Sequence, residues 1–346
     1  MTDQTTFFIW NDESITDAAK LLKAGEVVAF PTETVYGLGA DATNPVAVAK
    51  IFEAKGRPSD NPLIVHVANE QQISRYVTTI SSTAKQLIAA FMPGPLTIIL
   101  PSNGTIADNV TAGLGTVGIR IPDHPAARAL IAEADLPIAA PSANLSGKTS
   151  PTSAIHVFQD LNGKIAGILD GGQTGVGVES TVIDCTSTIP RILRPGGVTR
   201  AQMEAVLGQA IEDAYTESAS MTPIAPGMKY KHYEPDVPLI LVDGEPTFFQ
   251  EQIDMYQKDG KKVGALVSEE LAPLIRTDQL QMCGSTEDLT TVAAQLYQSL
   301  RAFKATEVDL ILAEFFPEEG VGQAIMNRLK KAASYIEIQS DQANPL

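Results

Sequence analysis

The stretch EVVAFPTETVYGLGAD, residues 26–41, decides how the chain reads. Glu26–Phe30 is a compact apolar run of strand character, and it breaks at Pro31 into a loop of hydroxyls and glycines. Thr32, Glu33, Thr34 and Tyr36 then place hydrogen-bonding groups at the C-terminal end of a strand, where α/β folds commonly hold ligands. Gly37, Gly39 and Ala42 give a loose G-x-G-x-x-A pattern, but no acidic residue follows at the end of a second strand to read a ribose. A structural turn accounts for the glycines; it leaves the polar groups of Pro31–Asp41 unexplained, so this segment is expected to be a ligand-facing loop.

Outward from it, short β-rich runs alternate with helical stretches. Ser14 and Asp17 suggest a cap for a helix bearing Ile15, Ala18, Leu21 and Leu22 and ending near Gly25. Asn44 followed by Pro45 starts another helix, with Gly56 as its stop. Further strands are expected at Leu63–Val67, Leu96–Leu100, Val117–Ile121, Pro137–Ala140, Ile165–Asp170 and Ser180–Cys185. Their uneven spacing leaves some neighbours no room for a helix, which implies a twisted mixed sheet with helices. Between about Ser218 and Val237 the pattern stops, and after it Leu239–Val242, Val263–Ser268, Leu280–Cys283 and Val308–Phe315 alternate with helices, the best being Glu287–Phe303 after a Thr286 cap. That order suggests a smaller Rossmann-like α/β domain. The expected division is a catalytic domain over 1–215, a linker over 216–237 and a second domain over 238–346.

Composition limits the function. The 346 residues include 25 basic and 41 acidic side chains, a formal charge of −16, spread evenly over the two parts. A dedicated binder of nucleic acid or anionic membrane would need the opposite balance. Cys185 and Cys283 stand alone, so neither a disulfide framework nor a structural zinc site follows. No apolar run approaches the ~20 residues needed to cross a bilayer, and MTDQTTFFIW lacks the features of a signal peptide. A cytoplasmic globular protein is the expectation.

Several short segments carry chemistry. In AKGRPSDNPL, Lys55 and Arg57 either neutralise a helix C-terminus or meet a polyphosphate. PSANLSGKTSP has Gly147, Lys148 and Thr149, yet Ser142 occupies the position where a phosphate loop requires glycine, so that motif is rejected. Ser142, Asn144 and Ser150 remain polar ligand candidates. Arg120 sits inside an apolar strand and faces either solvent or a buried anion, which would be an acidic side chain or a substrate carboxylate. Arg194 poses the same question beside a Pro-Gly-Gly turn, where backbone can approach a ligand, and His66 is a lone strand histidine. No Ser-His-Asp elbow, H-E-x-x-H or Asp-rich metal loop is present.

The order of PTETVYGLG, KGRP, PSAN, GVESTVID and RPG closely resembles the YrdC-type threonylcarbamoyl-AMP synthases over about residues 15–205. APGMKYKHYEP (Ala225–Pro235) and GVGQAIMNRLKKAAS (Gly320–Ser334) resemble the long members, whose extra domain bears the Sua name. The resemblance implies a nucleotidyltransferase that makes L-threonylcarbamoyl-AMP and pyrophosphate from L-threonine, bicarbonate or CO2, and ATP accompanied by Mg2+, with no protein ligand for the metal. It further implies that the product serves threonylcarbamoyladenosine modification of tRNA beside the anticodon, through a separate transferase.

Carried over by position, Thr34, His66, Arg120, Ala140 (through its backbone) and Thr181 would hold threonine. Arg57, Asn61, Thr116, Ser142, Ser150, Arg194 and the linker's Tyr230 would hold ATP, and Lys55, Arg57, Ser142 and Asn144 match the family's catalytic tetrad. Ala225–Pro235, with its clustered aromatics, is expected to act as a lid. Two rivals are weaker: an RNA-binding or ribosome-maturation module would want basic surface, and a carbamoyltransferase of hydrogenase maturation would want Cys-rich zinc motifs.

Overall fold

The computed structural model describes residues 4–215 and 233–339. Its contacts divide the chain into two units, Met1–Ser146 with Ser150–Tyr230, and Lys231–Leu346 with Gly147–Thr149. Most of the expected lid, including Tyr230 and His232, lies outside the described residues.

Among the described residues the first unit has eleven strands: β1 (Thr6–Ile9), β2 (Val28–Phe30), β3 (Gly37–Asp41), β4 (Ile64–His66), β5 (Leu96–Pro101) and β6 (Thr116–Arg120) come first. β7 (Ile138–Ala139), β8 (Gly167–Asp170), β9 (Thr181–Asp184), β10 (Arg191–Arg194) and β11 (Glu212–Asp213) follow. They form one mixed sheet in the order β1-β8-β2-β3-β7-β4-β6-β5-β9-β10-β11. β3 is a correction, because half of the expected ligand loop is strand. Its glycines serve close packing and neither has a positive φ: a Cβ on Gly39 would lie 2.7 Å from both Ile138 and the Phe30 ring.

Local cap chemistry explains the helices. Asn44 accepts the N–H groups of Val46 and Ala47, Pro45 opens the helix Pro45–Lys55, and Gly56 closes it at φ 61°. The first helix, Asp12–Lys23, is capped by Asn11, and Ser14 completes a capping box at the third position instead of starting the helix.

Strand alternation sends residues to two different faces. On one face, Leu38, Val65, Ile98, Val117, Ile119 and Ile183 form a continuous core with Val48, Ile51, Leu87, Val157, Leu161 and Met203 of the covering helices. On the other face, helices Asp12–Lys23 and Pro125–Ala134 cover Val28, Phe30, Ile138 and Leu169, with Phe8, Ala68 and Ala140 beside them. The rest of that face carries the small cluster Ile64, Ile99, Val182, Leu193 and Ala214. Gly118 belongs there, since a Cβ on it would meet Ile99 at 3.1 Å and Thr97 at 3.3 Å.

The second unit is a parallel sheet of β12 (Leu239–Asp243), β13 (Val263–Val267), β14 (Gln279–Met282), β15 (Leu310–Glu314) and β16 (Tyr335–Ile338), in the order β14-β13-β15-β12-β16. Helix Pro246–Lys258 buries Phe249 and Ile253 against Ile240, Val263 and Leu312. Helix Leu289–Ala302 is capped by Asp288 and not by Thr286. Tyr233, expected in the lid, is 6% exposed and stacks on Tyr297 at 5.5 Å, so this one aromatic of the linker motif serves the second unit's own packing.

Candidate active site

The site grows from β4 and β6, which run parallel with His66 opposite Arg120. Arg120 is 4% exposed, which settles its direction: it points inward. A buried guanidinium needs compensation, and three groups supply it. Nε donates to the Gly94 carbonyl at 3.2 Å, Nη1 donates to the Thr34 hydroxyl at 3.0 Å, and Nη2 lies 2.6 Å from a Glu33 carboxylate oxygen. Of the two anions open at the level of sequence, the acidic side chain is therefore present. Glu33 carried no specific role in the sequence reading; the signal available was that a strand arginine between isoleucines wants an anion, and PTET contains one.

Thr34 is held by its neighbour Thr32, whose hydroxyl lies 2.9 Å away and donates to the Val35 carbonyl. His66 is 3% exposed, and its ring meets Phe30 edge-on at 6.0 Å. Burial, helped by the positive charge of Arg120, pushes its pKa down to about 3, so the ring is neutral at ordinary pH. Its Nδ1 is buried without a hydrogen-bond partner. The Ala140 N–H is already given to the Ile64 carbonyl, which leaves the carbonyl as its backbone contribution. Thr181 spends its hydroxyl on Val198, donating to the carbonyl at 2.5 Å and accepting the N–H at 3.1 Å, while its own N–H reaches Pro95.

A second group of residues surrounds the PSAN loop. Lys55, 3% exposed, donates its ammonium to the backbone carbonyls of Ser142 and Asn144, the latter at 2.6 Å. Its first role is thus to pin that loop. The Asn144 amide donates to the Leu145 carbonyl. Ser150 donates to Glu179 at 2.7 Å, and Arg194 clasps the Ser180 carbonyl with Nε and Nη2 at 3.1 and 2.8 Å. Residues 179–181 therefore join the two groups. The Pro-Gly-Gly turn packs closely on the protein: a Cβ on Gly196 would stand 2.2 Å from the Thr181 nitrogen and 2.4 Å from the Glu179 carbonyl oxygen.

Arg57, half-buried, donates to the carbonyls of Asn61 and Pro62. Asn61 is 1% exposed, and both polar atoms of its amide lack a partner. Unpaired buried amides are costly, so this one asks for a partner beyond the protein's own described groups. Next to it, Pro62, Leu63, Ile99, Leu114, Thr116 and Gly118 line a small apolar hollow. No group of three or more His, Cys, Asp or Glu suited to a metal occurs among the described residues. No helix among them is long and apolar enough to cross a membrane.

Residues 20–196 match the family described as Telomere recombination, and residues 198–334 match the threonylcarbamoyl-AMP synthase C-terminal domain. The chain is 55% identical over 332 residues to the threonylcarbamoyl-AMP synthase of Bacillus subtilis (strain 168), covering 96% of each. To that of Pyrococcus abyssi it is 46% identical, over 92% of this chain and 93% of the relative. The crystal structure of P. abyssi Sua5 complexed with L-threonine superposes with a TM-score of 0.91 at 44% identity, over 97% of this chain and 99% of that one. With both of its parts matched and its relatives covered almost end to end, the chain belongs to the threonylcarbamoyl-AMP synthase family, in its two-domain Sua5 form.

Proposed function

We propose that this protein makes L-threonylcarbamoyl-AMP and pyrophosphate from L-threonine, bicarbonate or CO2, and ATP, as an adenylyl-transferring enzyme serving threonylcarbamoyladenosine formation in tRNA. The observation that carries the reading is the helix-free part of the sheet face. The buried Arg120 binds Thr34 and stands opposite the neutral His66, and the same unit holds a polar loop at Ser150 and an unpaired Asn61 amide.

In this reading threonine's carboxylate meets Arg120, which has five N–H groups and at most three committed. The neutral His66 offers Nδ1 as an acceptor, and Thr34 and the Ala140 carbonyl complete the amino-acid site. Thr181 takes part through the backbone path it shares with Pro95, its hydroxyl being engaged. Asn61 and Thr116 are assigned to the nucleotide, and Arg57, Ser142, Ser150 and Arg194 to its phosphates, with Lys55 fixing the loop that presents Ser142 and Asn144. Tyr230 belongs to the same nucleotide assignment.

Threonine's amine, once deprotonated, forms its N–C bond with CO2. A carbamate oxygen then attacks the α-phosphorus, and pyrophosphate leaves with the electron pair of the broken P–O bond. The protein forms no covalent bond; it contributes proximity, exclusion of water and fixed positive charge. Mg2+ would arrive on the triphosphate and offset its charge. A cytoplasmic location, and hand-over to a separate transferase without stable tRNA binding, complete the proposal.

The experiment is pyrophosphate release with each substrate omitted in turn, with mass detection of the product. Release requiring ATP, threonine and bicarbonate together supports the reading; release independent of threonine removes it.

A further inference from the structure

Glu33 is the built-in counter-charge of Arg120. The two side chains are 11% and 4% exposed, with Oε1 and Nη2 2.6 Å apart. The acid is held in place from three sides. Its Oε2 accepts the backbone N–H of Asp123 at 3.0 Å, and its backbone carbonyl accepts those of Gly175 and Val176 at 3.1 and 2.8 Å. Swinging the carboxylate away would break its contacts to Arg120 and to the Asp123 N–H, while the bonds from Gly175 and Val176 fix the backbone from which it reaches. The remaining partners of the guanidinium, Gly94 and Thr34, are neutral, and so is the adjoining His66 ring. Before any ligand arrives, the Arg120–Glu33 pair at the centre of the clamp carries no net charge. A carboxylate entering alone would leave one buried negative charge uncompensated. An α-amino acid brings its own ammonium and leaves none.

We infer that Glu33 is a specificity-determining residue: by neutralising Arg120, it makes the clamp select an amino-acid zwitterion over a carboxylate without an amine. The inference rests on the threonine site proposed above and deepens it. It also gives the acid a purpose that a clamp for anions would contradict, since a lone Arg120 would bind carboxylates more strongly.

The test is calorimetric binding of L-threonine and of 2,3-dihydroxybutanoate, in which a hydroxyl replaces the ammonium, to the full chain. Wild type should prefer threonine by at least about tenfold, the size of one charged hydrogen bond. Glu33→Gln should reduce that ratio by about tenfold or more, because the site becomes net positive. Glu33→Asp keeps the charge and should hold the ratio within a few-fold even if both ligands bind more weakly. Equal binding of the two ligands by wild type overturns the inference without recourse to any variant. So does a Glu33→Gln protein that loses affinity for both ligands equally, which is what a purely structural role would give. Arg120→Met separates the two levels: if it leaves threonine affinity intact, the carboxylate site itself is wrong; if it abolishes binding while Glu33→Gln leaves the ratio unchanged, only the role of Glu33 fails.

Discussion

Lys55→Met removes one ammonium and keeps an unbranched apolar stem. In the wild-type protein that ammonium donates to the carbonyls of Ser142 and Asn144 from a side chain that is 3% exposed. A thioether donates nothing, so one buried and one part-buried acceptor lose this donor. Each such loss costs ~1–3 kcal/mol, and relief of the ammonium's own desolvation returns part of it. A net destabilisation of ~3 kcal/mol follows, which for a unit of this size lowers Tm by roughly 6–12 °C. The Ser146 N–H still reaches the Lys55 carbonyl at 2.9 Å, so the loop stays attached and the unit folds. Calorimetry on the full chain reads the stability, and initial rates at low and saturating ATP read the site. The expected result is the stated drop in Tm with KM for ATP raised about tenfold or more and threonine affinity little changed. An unaltered Tm refutes the loop-pinning role, and an unaltered Tm with ATP affinity lost would move the ammonium to the phosphates.

Three further outcomes are expected. His66 has a folded-state pKa depressed to about 3, so the unfolded chain takes up the proton first; its contribution is fully present above pH ~6.5 and is lost as the pH falls toward 3. His66→Asn should therefore flatten denaturant-measured stability between pH 6 and 4 by ~2 kcal/mol relative to wild type. Gly39→Ala should destabilise by ~1–3 kcal/mol through its clash with Ile138 and Phe30, seen as a lower urea midpoint with unchanged slope. Asn61→Ala should raise KM for ATP about tenfold while leaving Tm unchanged or higher, because it removes an unpaired buried amide; a lower Tm with normal KM would place Asn61 in the structure and outside the site.

What was legible in the sequence was what local chemistry decides. Asn44, Pro45 and Gly56 frame their helix through bonds within three residues, and the apolar runs from Leu63 to Cys185 became strands close to their expected limits. The misses have a common cause in distance. Gly37–Asp41 is poor in strand-forming side chains, and it becomes β3 because Phe30 and Ile138 need glycine opposite them. Alternation could not say which face Arg120 would take, since that depends on helices covering one part of the sheet and not another. The function of Lys55 is set by carbonyls 87 and 89 residues away, and that of Gly196 by backbone at 179–181. The motif order implied which residues meet; it did not say that Thr181 and the Ala140 N–H would already be engaged.

One feature of the sheet bears on how the chain is made. β8 lies between β1 and β2 and is parallel to both, yet it follows β2 by about 140 residues. At a synthesis rate of ~5–20 residues per second, β2 waits roughly 7–28 s for the neighbour that completes its edge. During that interval the nascent chain holds an open slot beside β2, and β1 has nothing to pair with. A strand edge left unpaired for seconds is a place where chains pair wrongly with each other. β3, which pairs with β2 from the other side, emerges at once behind the hydroxyl loop and folds back antiparallel. Thr34, His66 and Arg120 are thus synthesised, and can begin to meet, while the slot that β8 will fill between β1 and β2 still stands open.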